Sequence, residues 1–157
     1  MIKPLRTGAI GALMDEYERA SIDLKIILEK LPQEKFEKIY DAETTDEDCR
    51  SIKTIMNHVV DAGYRYANQI RMFLGFTPYA PKYKIETAHD AIRILEKVLT
   101  FTANSIEGKY NLTNEEIKAT LRETRWGLYN IEMMFEHAIV HILRHRRQIE
   151  KFLSTDT

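Results

Sequence analysis

The apolar residues of this chain recur every three to four positions, which is the spacing of a helix with one buried face, and they do so in four long segments. This spacing predicts helices over residues 8–31, 48–74, 85–105 and 130–153. The tetrapeptide TNEE, which begins at Thr113, has the arrangement of a capping box and predicts a further short helix. No segment shows the strict alternation of apolar and polar residues that indicates a β-strand.

Four long amphipathic helices in one chain predict an all-α protein, and the simplest way to bury four apolar faces is a four-helix bundle. The length of 157 residues suits one domain over residues 1–157. A chain of this size buries a substantial core without disulfides or a structural metal. The pattern leaves open which helices are neighbours.

Composition and charge narrow the class of protein. Hydrophobic residues make up 44% of the chain and charged residues 30%, so an ordinary globular domain is expected. A net charge of −1 argues against a nucleic-acid partner, because such proteins are usually strongly basic. The single cysteine, Cys49, fits a reducing compartment. With no leader pattern and no apolar run long enough to cross a membrane, a cytoplasmic, non-membrane protein is expected.

The last predicted helix carries three of the five histidines of the chain, at one per turn: His137, His141 and His145. Side chains four residues apart on a helix share a face with Cβ atoms roughly 6 Å apart, so two such imidazoles can bind one divalent ion. Each step of four residues also rotates by about 40°, so one ion takes two of the three. A basic helix end would explain the same residues without a metal, because Lys, Arg and His favour the last turn.

A third ligand has to come from another helix, because two ligands are too few for a tight site. His58, on the polar flank of the second predicted helix beside Ala62 and Gln69, is the better candidate, and His89 competes with it. The chain has no HExxH, GxGxxG or GxSxG motif that would indicate another chemistry. Cys49 is expected to be a small buried side chain, because no base accompanies it in sequence.

At the level of motifs, the segment HAIVHILRHRRQIEKFL resembles the C-terminal signature of the DinB/YfiT-like family, which reads roughly H-x3-H-x2-[HR]-H-R-G-Q-I. The segment SIKTIMNHVVDAGY is similar to the second-helix histidine motif of the family, and LMDEYERA and RWG also fit. The main departure is Arg147, where glycine is common. The resemblance implies a four-helix bundle, often homodimeric, with one divalent metal held by His58, His141 and His145. It also implies that His137 is a neighbour of the site and not a ligand.

The resemblance implies a function as well as a fold. Three histidines accept zinc, nickel, iron or manganese, and the open fourth position is typical of a catalytic site. A metal-dependent enzyme acting on a small-molecule substrate is therefore expected. It would be a thiol-dependent S-transferase that uses a low-molecular-weight thiol, or a metal-assisted hydrolase. The alternative is a non-enzymatic binding or stress-response module that the metal only braces.

Further side chains are candidates for the surroundings of the site. Each metal-binding imidazole usually donates its second N–H to an acceptor, and Glu136, Asp61 and Gln69 are candidate acceptors. Residues expected to line the cavity or to pack in the core are Tyr64, Tyr66, Trp126, Tyr129 and Arg144.

Overall fold

Four long helices account for most of residues 3–156, which are the residues that this computed structural model describes. The elements in chain order are α1 (Gly8–Glu29), α2 (Gln33–Glu37), a 3₁₀ turn (Glu47–Cys49), α3 (Ile52–Phe73), α4 (Ala88–Ser105), α5 (Asn114–Ala119), β1 (Arg122–Thr124), β2 (Gly127–Tyr129) and α6 (Ile131–Ser154). No helix among these residues is both long enough and apolar enough to cross a membrane.

The four long helices form one bundle. Helix α1 packs against α4 and α6, and α3 packs against the same two helices. Their apolar faces meet in a single core, in which Tyr17, Phe135 and Met56 are among the largest fully buried side chains. Burial of such faces is the main force that holds helices of this kind together. The predicted all-α four-helix bundle is confirmed.

Capping side chains decide where the helices begin. The Ser51 hydroxyl accepts the backbone N–H of Thr54, and the Thr54 side chain accepts the N–H of Ser51, so α3 begins at Ile52. The sequence pattern placed this start four residues earlier, at Asp48, because the apolar spacing runs on through the 3₁₀ turn. The capping box predicted at Thr113 is present and opens α5.

Helices α3 and α4 approach each other closely at one glycine. A Cβ atom on Gly63 would lie 2.7 Å from Cγ1 of Val98 and 3.4 Å from the Tyr17 hydroxyl oxygen. The absence of a side chain at this position therefore lets α3 and α4 pack tightly in the bundle. Tyr17 is almost fully buried there, and this burial raises the pKa of its hydroxyl.

A small antiparallel hairpin precedes α6, and the sequence pattern did not predict it. Strands β1 and β2 pair Arg122 with Tyr129 and Thr124 with Gly127. Gly127 has a φ of 111°, which glycine adopts without strain, so the turn fits the sequence. Strands of three residues are too short to show alternation, which explains the missed prediction. The hairpin brings Tyr129 to the beginning of α6.

Candidate metal centre

Three histidines from two helices converge at the interface between α3 and α6. The Nε2 atoms of His58 and His141 are 3.0 Å apart. The ring centroid of His145 lies 5.0 Å from that of His58 and 4.5 Å from that of His141. One ring nitrogen of each histidine lies within 4.8 Å of those of the other two. We call these three residues the histidine triad.

The packing of the two helices explains why these histidines meet. On α3, Val59 and Ile55 are buried in the core, and His58 lies beside them at the partly exposed edge. On α6, Ile142 and Ala138 point into the core, and His141 lies at the same edge. Because His145 follows His141 by four residues, its imidazole lies one helical turn further along α6 at the same edge.

Two of the three rings have a side-chain oxygen close to Nδ1. Nδ1 of His145 is hydrogen-bonded to the side-chain oxygen of Gln148 at 3.0 Å, and Nδ1 of His58 lies 3.2 Å from a carboxylate oxygen of Asp48 in a charge contact. Because the Gln148 oxygen is an acceptor, the ring proton of His145 belongs on Nδ1. This leaves the Nε2 lone pair of His145 free, as is typical of metal-binding histidines.

Comparison with protein families identifies the chain as a member of a family with this fold. Residues 16–149 match the model of the DinB superfamily. The chain belongs to the DinB superfamily. The DinB resemblance seen in the sequence motifs is thereby confirmed. No curated protein and no solved structure matches the chain.

The donor set of this DinB superfamily protein fits a divalent transition metal. Two nitrogens bound to one tetrahedral zinc at about 2.0–2.1 Å lie roughly 3.3 Å apart. The nitrogens of the triad span 3.0 Å to 4.8 Å, so small side-chain movements would bring all three within bonding distance of one ion. Three imidazoles without a carboxylate favour zinc, nickel, iron or manganese over calcium or magnesium.

Burial favours the neutral form of two of the three imidazoles. Burial lowers the pKa of His141 to about 3, and the neighbouring imidazoles and Arg144 act in the same direction. Burial also lowers the pKa of His145. A metal binds the neutral form of histidine, so at neutral pH these two rings have no proton to lose before binding.

His137 lies outside the triad, as the resemblance implied, in an aromatic pocket of its own. Its Nδ1 is hydrogen-bonded to the Tyr129 hydroxyl at 2.9 Å. The rings of Tyr66 and Trp126 lie 5.1 Å and 6.0 Å from its ring, measured between centroids. Burial lowers the pKa of His137, so this ring is neutral at physiological pH.

Two cavities open onto the triad from different sides and share His141 and Arg144. The smaller cavity, of about 320 Å³, is lined by Tyr129, His137 and Glu136 in addition to the shared residues. The larger cavity, of about 490 Å³, is lined by the two shared residues and by Asp46, Cys49, His58, His145, Arg147 and Gln148. Each has room for a small molecule.

The other candidate ligand and the candidate lining residues lie at different places in the structure. His89 is exposed at the second residue of α4 and is not part of the triad. Tyr64 lines a separate groove between α3 and α4, whereas Tyr66, Trp126 and Tyr129 surround His137.

The structure shows one acceptor that the sequence analysis did not name, Gln148 beside His145, and it places the Asp48 carboxylate near Nδ1 of His58. Asp61 instead accepts a hydrogen bond from the Tyr83 hydroxyl. The position of Gln148, three residues after His145 on one helix, was a usable sequence signal. The position of Asp48 depends on the 3₁₀ turn before α3, which the apolar pattern does not indicate.

Cys49 is also placed differently from the sequence expectation. Its side chain is only partly buried and faces the larger cavity beside the triad. The thiol donates to Asp46 at 3.3 Å and lies 3.9 Å from the side-chain oxygen of Gln148. Burial raises the pKa of this thiol, which favours its protonated form. The 3₁₀ turn that carries Cys49 lies against α3, and this accounts for its exposure to the site.

Proposed function

We propose that this protein binds one divalent transition metal ion through His58, His141 and His145 and that it is a metal-dependent enzyme. The observation that carries the proposal is the convergence of three ring nitrogens from α3 and α6, with the His145 ring oriented by Gln148. Three protein ligands leave a position open, which is the arrangement of catalytic and not of structural sites.

A bound ion of this kind would supply Lewis acidity, which stabilises a thiolate or hydroxide at neutral pH and polarises a carbonyl. The residues of the chain would orient a histidine ring and accept a proton from the substrate. Gln148 holds the Nδ1 proton of His145 and thereby fixes the orientation of that ring, and the Asp48 carboxylate lies beside His58. His137 is neutral and lines the smaller cavity, so it is placed to accept a proton from a substrate bound there.

We propose S-transfer, in which a low-molecular-weight thiol attacks a small electrophile, as the reaction class. Two cavities meet at His141, so two small molecules can approach the triad from different sides. This arrangement favours a two-substrate transfer over hydrolysis, which needs room for one substrate and a water. In the reaction the thiol loses its proton, a carbon–sulfur bond forms, and the leaving group departs from the electrophile.

The test is elemental analysis of untagged protein, with a His58→Ala, His141→Ala double variant and a His89→Ala control. We expect about one equivalent of a transition metal in the wild type and in the control, and none in the double variant. The control removes an exposed histidine of another helix, so it measures adventitious surface binding. No metal in the wild type, even after incubation with zinc, nickel and manganese, would overturn the proposal.

Metal-loaded protein should next be assayed for conjugation of cysteine to monochlorobimane. In this reaction the cysteine sulfur replaces chloride, and the product is fluorescent. We expect turnover that is lost on chelation of the metal and in the double variant. Metal binding without turnover or thiol binding would favour the alternative function, a binding or stress-response module that the metal braces.

A further inference from the structure

Two arginines beside the histidine triad have no acidic partner among residues 3–156. Arg144 and Arg147 are exposed, and no carboxylate oxygen of these residues lies within 4.0 Å of either guanidinium. Their neighbour on α6, Arg146, is different, because it pairs with Asp23 at 3.0 Å and with Glu150 at 3.5 Å. The helix therefore carries one neutralised arginine on one side and two free arginines on another.

The free arginines lie along the approach to the triad. Arg144 lines both cavities that open onto the triad, and it also lines a third cavity of about 540 Å³ with Arg147, Gln148, Glu150 and Lys151. Arg144 is three residues from both His141 and Arg147, so it is a neighbour of each on the surface of α6.

Most acidic groups near these arginines make other contacts. The Asp46 carboxylate accepts hydrogen bonds from the backbone N–H of Asp48 and from the Cys49 thiol. Asp48 faces His58, Glu150 pairs with Arg146, and Glu136 lines the smaller cavity with Arg144. Because imidazole ligands carry no negative charge, nothing in the triad offsets the charge of a divalent ion. The mouth of the larger cavity would then carry a strong excess of positive charge.

We propose that Arg144 and Arg147 bind a carboxylate group of the thiol substrate while its sulfur lies at the triad. This inference rests on the proposed function. A guanidinium binds a carboxylate through paired N–H donors, and two of them side by side select for an anion more strongly than one.

The test measures thiol binding to the cobalt(II)-loaded protein through the absorption band of the cobalt–thiolate bond. Three thiols are compared: 2-mercaptoethanol, 3-mercaptopropionate and mercaptosuccinate. We expect both carboxylate-bearing thiols to bind about tenfold more tightly than the neutral one, because hydrogen bonds between charged groups are among the stronger ones. The preference should fall to about threefold or less in an Arg144→Gln, Arg147→Gln double variant.

Arg146→Gln is the matched control, because it removes the same charge from the same helix but lines none of the three cavities. It should keep the full preference, and Arg144→Lys should keep part of it. Equal affinities for the three thiols, or an unchanged preference in the double variant, would overturn this inference and leave the metal site intact. Failure of cobalt to bind, or cobalt binding without any thiol band, would overturn the proposed function and this inference together.

Discussion

Helix α3 packs against α4 on one side and against α6 on the other, and the two interfaces use different chemistry. Toward α4, Gly63 fits against Val98 so closely that a Cβ atom would stand 2.7 Å from it. Toward α6, His58 meets two other imidazoles that are only partly buried. The first interface is built from close apolar packing, whereas the second keeps polar nitrogens near solvent. One helix thus stabilises the bundle on one side and presents a histidine of the triad on the other.

The sharpest way to test this difference is to enlarge one residue at the α4 interface. Gly63→Val adds a branched side chain against Val98, and the expected loss is about 3 kcal/mol, because overpacking a tight interface forces the helices apart. Unfolding in urea measures the effect. His58→Ala, on the same helix, should cost less than about 1 kcal/mol in metal-free protein, because its side chain is partly exposed. Similar losses in both variants would contradict the division of α3 into two functions.

The next prediction concerns the hydrogen bond that orients His145. Gln148→Leu removes the acceptor of its Nδ1 proton, which lies 3.0 Å away, and should weaken metal binding by about 10–100-fold. Competition with a chromophoric chelator measures this affinity. Gln148→Glu keeps an acceptor at the same place and should retain the affinity of the wild type. A leucine variant that binds metal as tightly as the wild type would show that Gln148 does not orient the ring.

The smallest expected effect is a pH dependence of the metal-free protein. A histidine in the unfolded chain has a pKa near 6.5, whereas burial lowers that of His141 to about 3. Between these values the unfolded chain binds more protons than the folded one, so stability is lost as the pH falls below about 6.5. Because solvent screens a partly exposed ring, we expect a loss of about 1–2 kcal/mol between pH 7 and pH 4.

Urea unfolding of the metal-free protein at several pH values measures this loss, and His141→Gln is the control. The variant cannot gain a proton at this position, so its stability should fall less steeply over the same range. The comparison between the two proteins removes the contribution of the carboxylates, which titrate in both. Parallel curves for the two proteins would contradict the prediction.

Much of this arrangement was predictable from the sequence. Regular apolar spacing located the four long helices, because each buries one continuous face over five or more turns. Spacing on α6 also indicated that His141 and His145 share an edge. The choice of His58 over His89 rested on its place at the flank of an apolar helix and on the resemblance, and the structure brings His58 to the other two.

The rest depends on short or irregular segments, in which apolar periodicity has no room to repeat. The 3₁₀ turn that carries Asp48 and Cys49 spans three residues, and each strand of the hairpin beside Tyr129 also spans three. The position of the 3₁₀ turn is set by its contacts with α3. The position of the hairpin is set by the backbone angles of the turn at Gly127. Neither cause appears in the apolar spacing. A pattern read along the chain therefore identifies the triad and misses the groups around it.

The sequence separation of the triad has a consequence for the unfolded chain. His58 and His141 are 83 positions apart, whereas His141 and His145 are within one helical turn. An ion bound by all three would join two distant points of the chain, as a disulfide does. The chain-entropy model assigns a crosslink over a loop of this size roughly 4.5 kcal/mol of stabilisation. In a protein with a single cysteine, this would be a reversible crosslink that depends on metal supply and not on the redox potential.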